Sequence, residues 1–183
     1  SILGRAQLAG VRRIISAGST LNSSIEAIRL AESYPEIYAG VGIHPMNVSS
    51  MITDEILDEL KRLVFSSEKV VTISEPGLDY LRGKASREIQ QQVFREHIRL
   101  AKEVKIPIIF HSRGAYADCL RILKEEMIQD VGAIMHYFMA DLPIAREFVD
   151  MGVYISIAKP LLNNPHLERV VKHVPLDNLV LET

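Results

Sequence analysis

The chain has 183 residues, 48% hydrophobic and 24% charged, which fits one globular domain able to bury a core and excludes a disordered or low-complexity polypeptide. Its formal charge of -2 at pH 7 and pI near 6.3 exclude a global basic field, so a polyanionic substrate would be met by a local patch or by bound metal. The lone Cys119 excludes an internal disulfide, no apolar run reaches the roughly 20 residues of a membrane span, and the start SILGRAQLAG lacks a signal-peptide pattern, so a soluble, cytoplasmic protein is expected.

In chain order, a helical segment from Leu3 to Ala9 is closed by Gly10, and a β-branched run from Val11 to Ile15 predicts the first strand. The next helix is predicted over Ser23 to Ala31, with Ser23 and Glu26 at capping-box spacing and a stop before Tyr34-Pro35. Strands are predicted at Ile37 to Ile43, Val70 to Ser74, Ile106 to Phe110, Gly132 to Met135, Val153 to Ile157 and Leu179 to Leu181. Between them, Ile56, Leu57, Leu60, Leu63 and Val64 form one helical stripe, and Ile89, Val93, Phe94, Ile98, Ala101 and Val104 another. Tyr116 to Met127 and Ile144 to Val149 read as helices, the latter entered through Asp141, and Asn164-Pro165 opens the last.

Seven apolar strands alternating with helices are βα units with both sheet faces covered. The predicted architecture is a parallel (β/α)8 TIM barrel, here its strands 2 to 8, as one domain over residues 1–183. The chain begins in a helix and ends on a strand tip, so a fragment lacking the first strand and the C-terminal helices is expected. If such a shortened barrel is the natural product, its gap leaves two bare edges, and pairing with a second copy is expected.

Chemistry in a parallel barrel sits where strands end. Here the predicted tips deliver His44, Glu75, His111-Ser112-Arg113 and His136 on four consecutive strands, taking three of the six histidines. Singly, a histidine at a strand end is more often structural. Jointly, a carboxylate and imidazoles converging on one mouth form a ligand set for a divalent metal. Asp79 reads instead as a loop cap or a partner for an arginine. His97, His166 and His173 read as surface or packing residues, and Cys119 as helix core. No Walker loop, dinucleotide-binding loop, nucleophile elbow or CxxC pair is present.

The stretches Val41 to Pro45, Ser74 to Tyr80, Phe94 to Lys102, Pro107 to Arg113, His136-Tyr-Phe138 and Leu179 to Thr183, in this order, resemble the TatD family of metal-dependent deoxyribonucleases. The resemblance implies two divalent ions (Mg, Mn or Zn), with Glu75 bridging and His111 and His136 completing one position. It also implies His44 and Arg113 on the scissile phosphate of a DNA substrate. The family's His-x-His pair has no counterpart here, and neither does its aspartate after the Glu-Thr pair, so no general base is assigned. Met46, Pro76 and Met139-Ala140 depart from the family pattern at substrate-facing positions. Two other readings stay open: an amidohydrolase acting on C-N or ester bonds, against which Glu75 stands where such enzymes often carry a modified lysine, and a non-catalytic binding module.

Overall fold

A computed structural model describes residues 1–183. Seven strands form one parallel sheet in sequence order: β1 (Ile14–Ala17), β2 (Ile37–Val41), β3 (Val70–Asp79), β4 (Ile108–Arg113), β5 (Ala133–Met135), β6 (Val153–Ile157) and β7 (Leu179–Leu181). The helices are α1 (Ile2–Leu8), α2 (Leu21–Ser33), α3 (Asp54–Phe65), α4 (Arg87–Val104), α5 (Tyr116–Glu125), α6 (Leu142–Asp150) and α7 (Pro165–His173). Each strand from β1 to β6 is followed by a helix that returns the chain to the start of its neighbour. The βα alternation is therefore as expected, while the sheet in this chain is open, since β1 pairs only with β2 and β7 only with β6. No helix is long and apolar enough to cross a membrane.

Several boundaries differ from the sequence reading, each for a local reason. Val11 does not begin a strand. Its N–H donates to Ala6 O at 2.9 Å and Gly10 N–H to Gln7 O at 2.9 Å, with Gly10 at φ 86°, which is a Schellman ending of α1. The cap of α2 is Thr20 paired with Ser23, and not Ser23 paired with Glu26: Ser23 N–H donates to Thr20 Oγ1 at 3.1 Å and Thr20 N–H to Ser23 Oγ at 2.9 Å. The helix still ends at Tyr34, extended before Pro35. β2 leaves its ladder at Val41 because the next amide, Gly42 N–H, is taken by Ser24 Oγ from α2 at 3.2 Å. β4 begins at Ile108 and runs through His111 to Arg113, so His111 lies inside a strand and not beyond its tip. α5 closes at Glu125, ahead of Met127, whose φ is 48°.

The apolar stripes go where their period sends them. Leu60, Leu63 and Val64 of α3 and Val93, Phe94, Ile98 and Ala101 of α4 are buried against the sheet. On β4, Phe110 points outward to Phe94 of α4 and Phe148 of α6, with ring centroids 5.8 and 5.7 Å away. The strand period of two then places Ile109, His111 and Arg113 on the opposite, inner face.

That inner face is concave. Next-but-one strands of a flat sheet lie about 9.6 Å apart, yet His44 after β2 meets His111 of β4 with ring centroids 4.4 Å apart. His136 after β5 lies 4.0 Å from Glu75 of β3 and 2.7 Å from Glu182 after β7. The sheet curls enough for side chains two strands apart to touch.

His97 belongs to the interior and not the surface. It is fully buried on α4 with Nδ1 2.8 Å from Val93 O and no partner for Nε2. Burial pushes it down to about 4 from 6.5. The unfolded chain therefore takes up a proton near pH 6.5 that the folded one refuses until near pH 4. Stability is complete above that window and falls through it as pH drops, by about 3 kcal/mol. Urea unfolding between pH 7 and pH 4 should show this loss, and His97→Leu should make the profile shallower in that range, leaving the part due to His44, which burial lowers to about 4 as well.

Candidate active site

The inner mouth is built first by an irregularity in β3. In the β3–β4 register, Ser74 faces Ile109 and Gly77 faces His111, so three steps on β3 oppose two on β4. The extra residue is a bulge. It turns Glu75 toward the mouth and lets β3 resume pairing through Leu78 and Asp79. The strand thus does not end at Ser74 as expected. Gly77, at φ 148°, lies so close to β4 that a Cβ would stand 2.0 Å from His111 O, which no side chain allows.

His111, His136, Glu75 and Glu182 retain between 16% and 24% of their side-chain exposure, inside the mouth but reachable from it. His136 Nδ1–H donates to Glu182 Oε2 at 2.7 Å and has Glu75 Oε1 at 4.0 Å. Burial opposes charge on this ring, but the hydrogen bond it donates to Glu182 and the two carboxylate charges outweigh it and raise its pKa. Glu75 is raised by burial first and by Glu182 as well, with His136 pulling the other way. The second oxygen of Glu182, Oε1, is buried without a hydrogen-bond partner.

His44 is held differently. Its Nδ1 accepts Met46 N–H at 3.1 Å, so its proton sits on Nε2. Burial, then the charges of His111 and His136, push it down to about 4, and it stays neutral near pH 7. His111 is lowered by burial first, with His136 and Arg113 acting in the same direction against Asp79. Arg113 stands exposed at the end of β4, on the face that carries His111.

The structure brings His44, Glu75, His111, Arg113 and His136 to one mouth. It does not close the expected trio of Glu75, His111 and His136 around a point. No three His, Cys, Asp or Glu side chains are set closely enough to hold an ion as they stand, and two imidazoles already have a carboxylate partner: His136 has Glu182, and His111 has Asp79 at 3.2 Å. The donor types nonetheless fit a divalent cation. Imidazoles, carboxylates and an orphaned buried carboxylate oxygen line one mouth, and around His136 the two carboxylates already favour positive charge.

Two residues were missed. Glu182 lies where the strand period of β7 carries it in, its N–H bonded to Ile157 O at 3.1 Å, and β7 was itself legible. Asp79 is expected as a cap. It is one, with Oδ1 accepting Leu81 N–H and Arg82 N–H at 3.0 and 2.8 Å, but Oδ2 also meets His111. Only the bulge reveals that second contact. His166 and His173 are exposed on α7, as expected, and Cys119 is buried core.

The model of the TatD related DNase family matches residues 1–183. The chain belongs to this family. It is 42% identical over 184 residues to the uncharacterized metal-dependent hydrolase YabD of Bacillus subtilis, covering 100% of this chain and 71% of that protein. It is 31% identical over 185 residues to the 3'-5' ssDNA/RNA exonuclease TatD of Cronobacter sakazakii, covering 100% of this chain and 70% of that one. Among solved structures, the TatD homologue YjjV of Escherichia coli superimposes with a TM-score of 0.88 at 31% identity, over 99% of this chain and 70% of that one. The curled parallel sheet is thus the sheet of a TatD-family barrel.

The bulge gives a direct test. Gly77→Ala would force Cβ into the His111 carbonyl and should destabilise the chain by at least about 3 kcal/mol, read by urea unfolding. Gly132→Ala, where a Cβ meets nothing within 4 Å, carries only the φ penalty and should lose about 1 kcal/mol.

Proposed function

We propose that this site hydrolyses phosphodiester bonds of DNA with divalent metal, and that Glu75, His111 and His136 hold the metal. The observation that carries the reading is the mouth itself. Three histidines and two carboxylates from five strands converge on the concave face, where Glu182 and Glu75 raise the pKa of His136 against its burial, and burial raises that of Glu75. A group of carboxylates that draws a proton onto an imidazole is one whose charge a cation can replace. Metal bound here supplies Lewis acidity toward a phosphoryl oxygen and a water of lowered pKa.

The chain's own residues supply the phosphate contacts. His44 is neutral with its proton on Nε2, since Nδ1 is committed to Met46 N–H. It offers one N–H to a phosphoryl oxygen and does not titrate through the neutral range. Arg113 offers a permanent, planar charge suited to two oxygens of one phosphate. The chain's net charge of -2 provides no global basic field, so local groups carry the recognition.

The loops around the mouth favour unpaired strands. Met46 after β2, Leu81 after β3, and Tyr137 and Met139 after β5 are exposed at 41%, 70%, 44% and 43%. Exposed aromatic and apolar groups beside a phosphate site give bases a surface to stack on, which a duplex cannot use. The exonuclease name of the Cronobacter sakazakii relative agrees with that class of substrate.

The test is manganese- or magnesium-dependent cleavage of end-labelled single-stranded DNA by this chain beside the longer Bacillus subtilis relative, with matched duplex as comparison. Chelation should remove activity, and Glu75→Ala should lower kcat by at least about 1,000-fold. Arg113→Ala should act chiefly on KM, raising it about 10- to 100-fold, which corresponds to one charge-assisted contact. Full activity in Glu75→Ala, or hydrolysis of amide substrates with no DNA cleavage by either protein, would reject the proposal.

A further inference from the structure

Asp79 is a buried carboxylate tied from every side. Its side chain is 1% exposed. Oδ1 accepts Leu81 N–H and Arg82 N–H, and the backbone is clamped by Gln90 of α4, whose Oε1 accepts Asp79 N–H at 2.8 Å while Nε2 donates to Asp79 O at 3.2 Å. Two backbone N–H groups aimed at one carboxylate oxygen favour its ionised form. An ionised carboxylate only accepts. The atom of His111 facing it, Nε2, at 3.2 Å from Oδ2, must therefore carry the proton.

The consequence lies at the other nitrogen. With the proton on Nε2, Nδ1 of a neutral His111 is a free lone pair. It makes no hydrogen bond and is not among the buried unpaired atoms, so it reaches the mouth, on a ring whose centroid lies 4.4 Å from that of His44. We infer that Asp79 is a positioning residue: it fixes the tautomer and ring orientation of His111 so that Nδ1 is the nitrogen presented to a cation. This rests on the metal-binding reading of the mouth. A carboxylate behind a ligating imidazole is a general device for setting its tautomer and basicity.

Asp79→Asn tests it with little change of shape. The two backbone N–H groups hold the side-chain oxygen at the Oδ1 position, which forces the amide NH2 toward His111 Nε2. That nitrogen must then accept, and the proton moves to Nδ1. Long-range 1H–15N correlation on 15N-histidine-labelled, metal-free protein at pH 7.5 should show His111 as the Nε2–H tautomer and the variant as Nδ1–H. Calorimetric titration with Mn2+ or Zn2+ should show affinity reduced on the order of 10- to 100-fold. In a His111→Gln background, Asp79→Asn should cause no further loss, a coupling that a purely structural cap would not show.

The Nδ1–H tautomer in the parent chain would overturn the inference. So would an unchanged tautomer in Asp79→Asn, or an equal affinity loss with His111 removed. If the parent binds neither metal, the hydrolase reading falls separately, and the tautomer measurement alone decides what Asp79 does.

Discussion

Everything at the mouth depends on how β3 pairs with β4. Regular pairing past Ser74 would keep Glu75 in the side-chain alternation of a flat ladder. The single extra residue between Ser74 and Gly77 breaks that alternation, turns Glu75 inward and returns the strand to register, so that Gly77 lies against His111 and Asp79 against Arg113. One local irregularity thereby aims a carboxylate, sets the backbone under His111 and delivers the aspartate that grips its ring. The absence of a side chain at Gly77 makes the close approach possible, and Gln90 of α4 holds the far end of the strand by its Asp79 amide and carbonyl.

The curl of the sheet supplies the second requirement. Parallel strands in sequence order place functional residues on neighbouring tips, but neighbours alone do not make a site. Contacts between alternate strands do: β2 with β4 through His44 and His111, β3 with β5 through Glu75 and His136, β5 with β7 through His136 and Glu182. Charge follows from this crowding. Burial penalises every ionised group in the mouth, and the groups answer by pairing, His136 with Glu182 and His111 with Asp79, while His44 gives up its charge altogether.

Most of this architecture was legible in the residues. β6 and β7 match their apolar runs residue for residue, α6 begins at the Asp141 cap, and α7 at Asn164-Pro165. Three of the misplaced boundaries have a common kind of cause, a local hydrogen bond that takes a backbone amide the pattern assigned elsewhere. Val11 belongs to a Schellman turn, Gly42 to the Ser24 hydroxyl, and Ser23 to Thr20. The site residues His44, Glu75, His111, Arg113 and His136 were found because strand ends announce themselves as apolar runs stopping on polar residues. Asp79 and Glu182 were not, because their importance lies in contacts to histidines 32 and 46 positions away along the chain. No local pattern encodes such a pairing.

The two histidine–carboxylate pairings differ in what holds each carboxylate. At His136, the proton on Nδ1 lies between two carboxylates whose combined charge it only partly neutralises, and Glu182 Oε1 stays buried without a partner. At His111 the pairing differs in kind. Asp79 is fixed by backbone amides that do not depend on the mouth at all, so its hold on the ring persists whatever occupies the site. One histidine is thus engaged by side chains that share the opening, and the other by a carboxylate anchored behind it. The first arrangement responds to what enters the mouth, and the second determines which atom meets it.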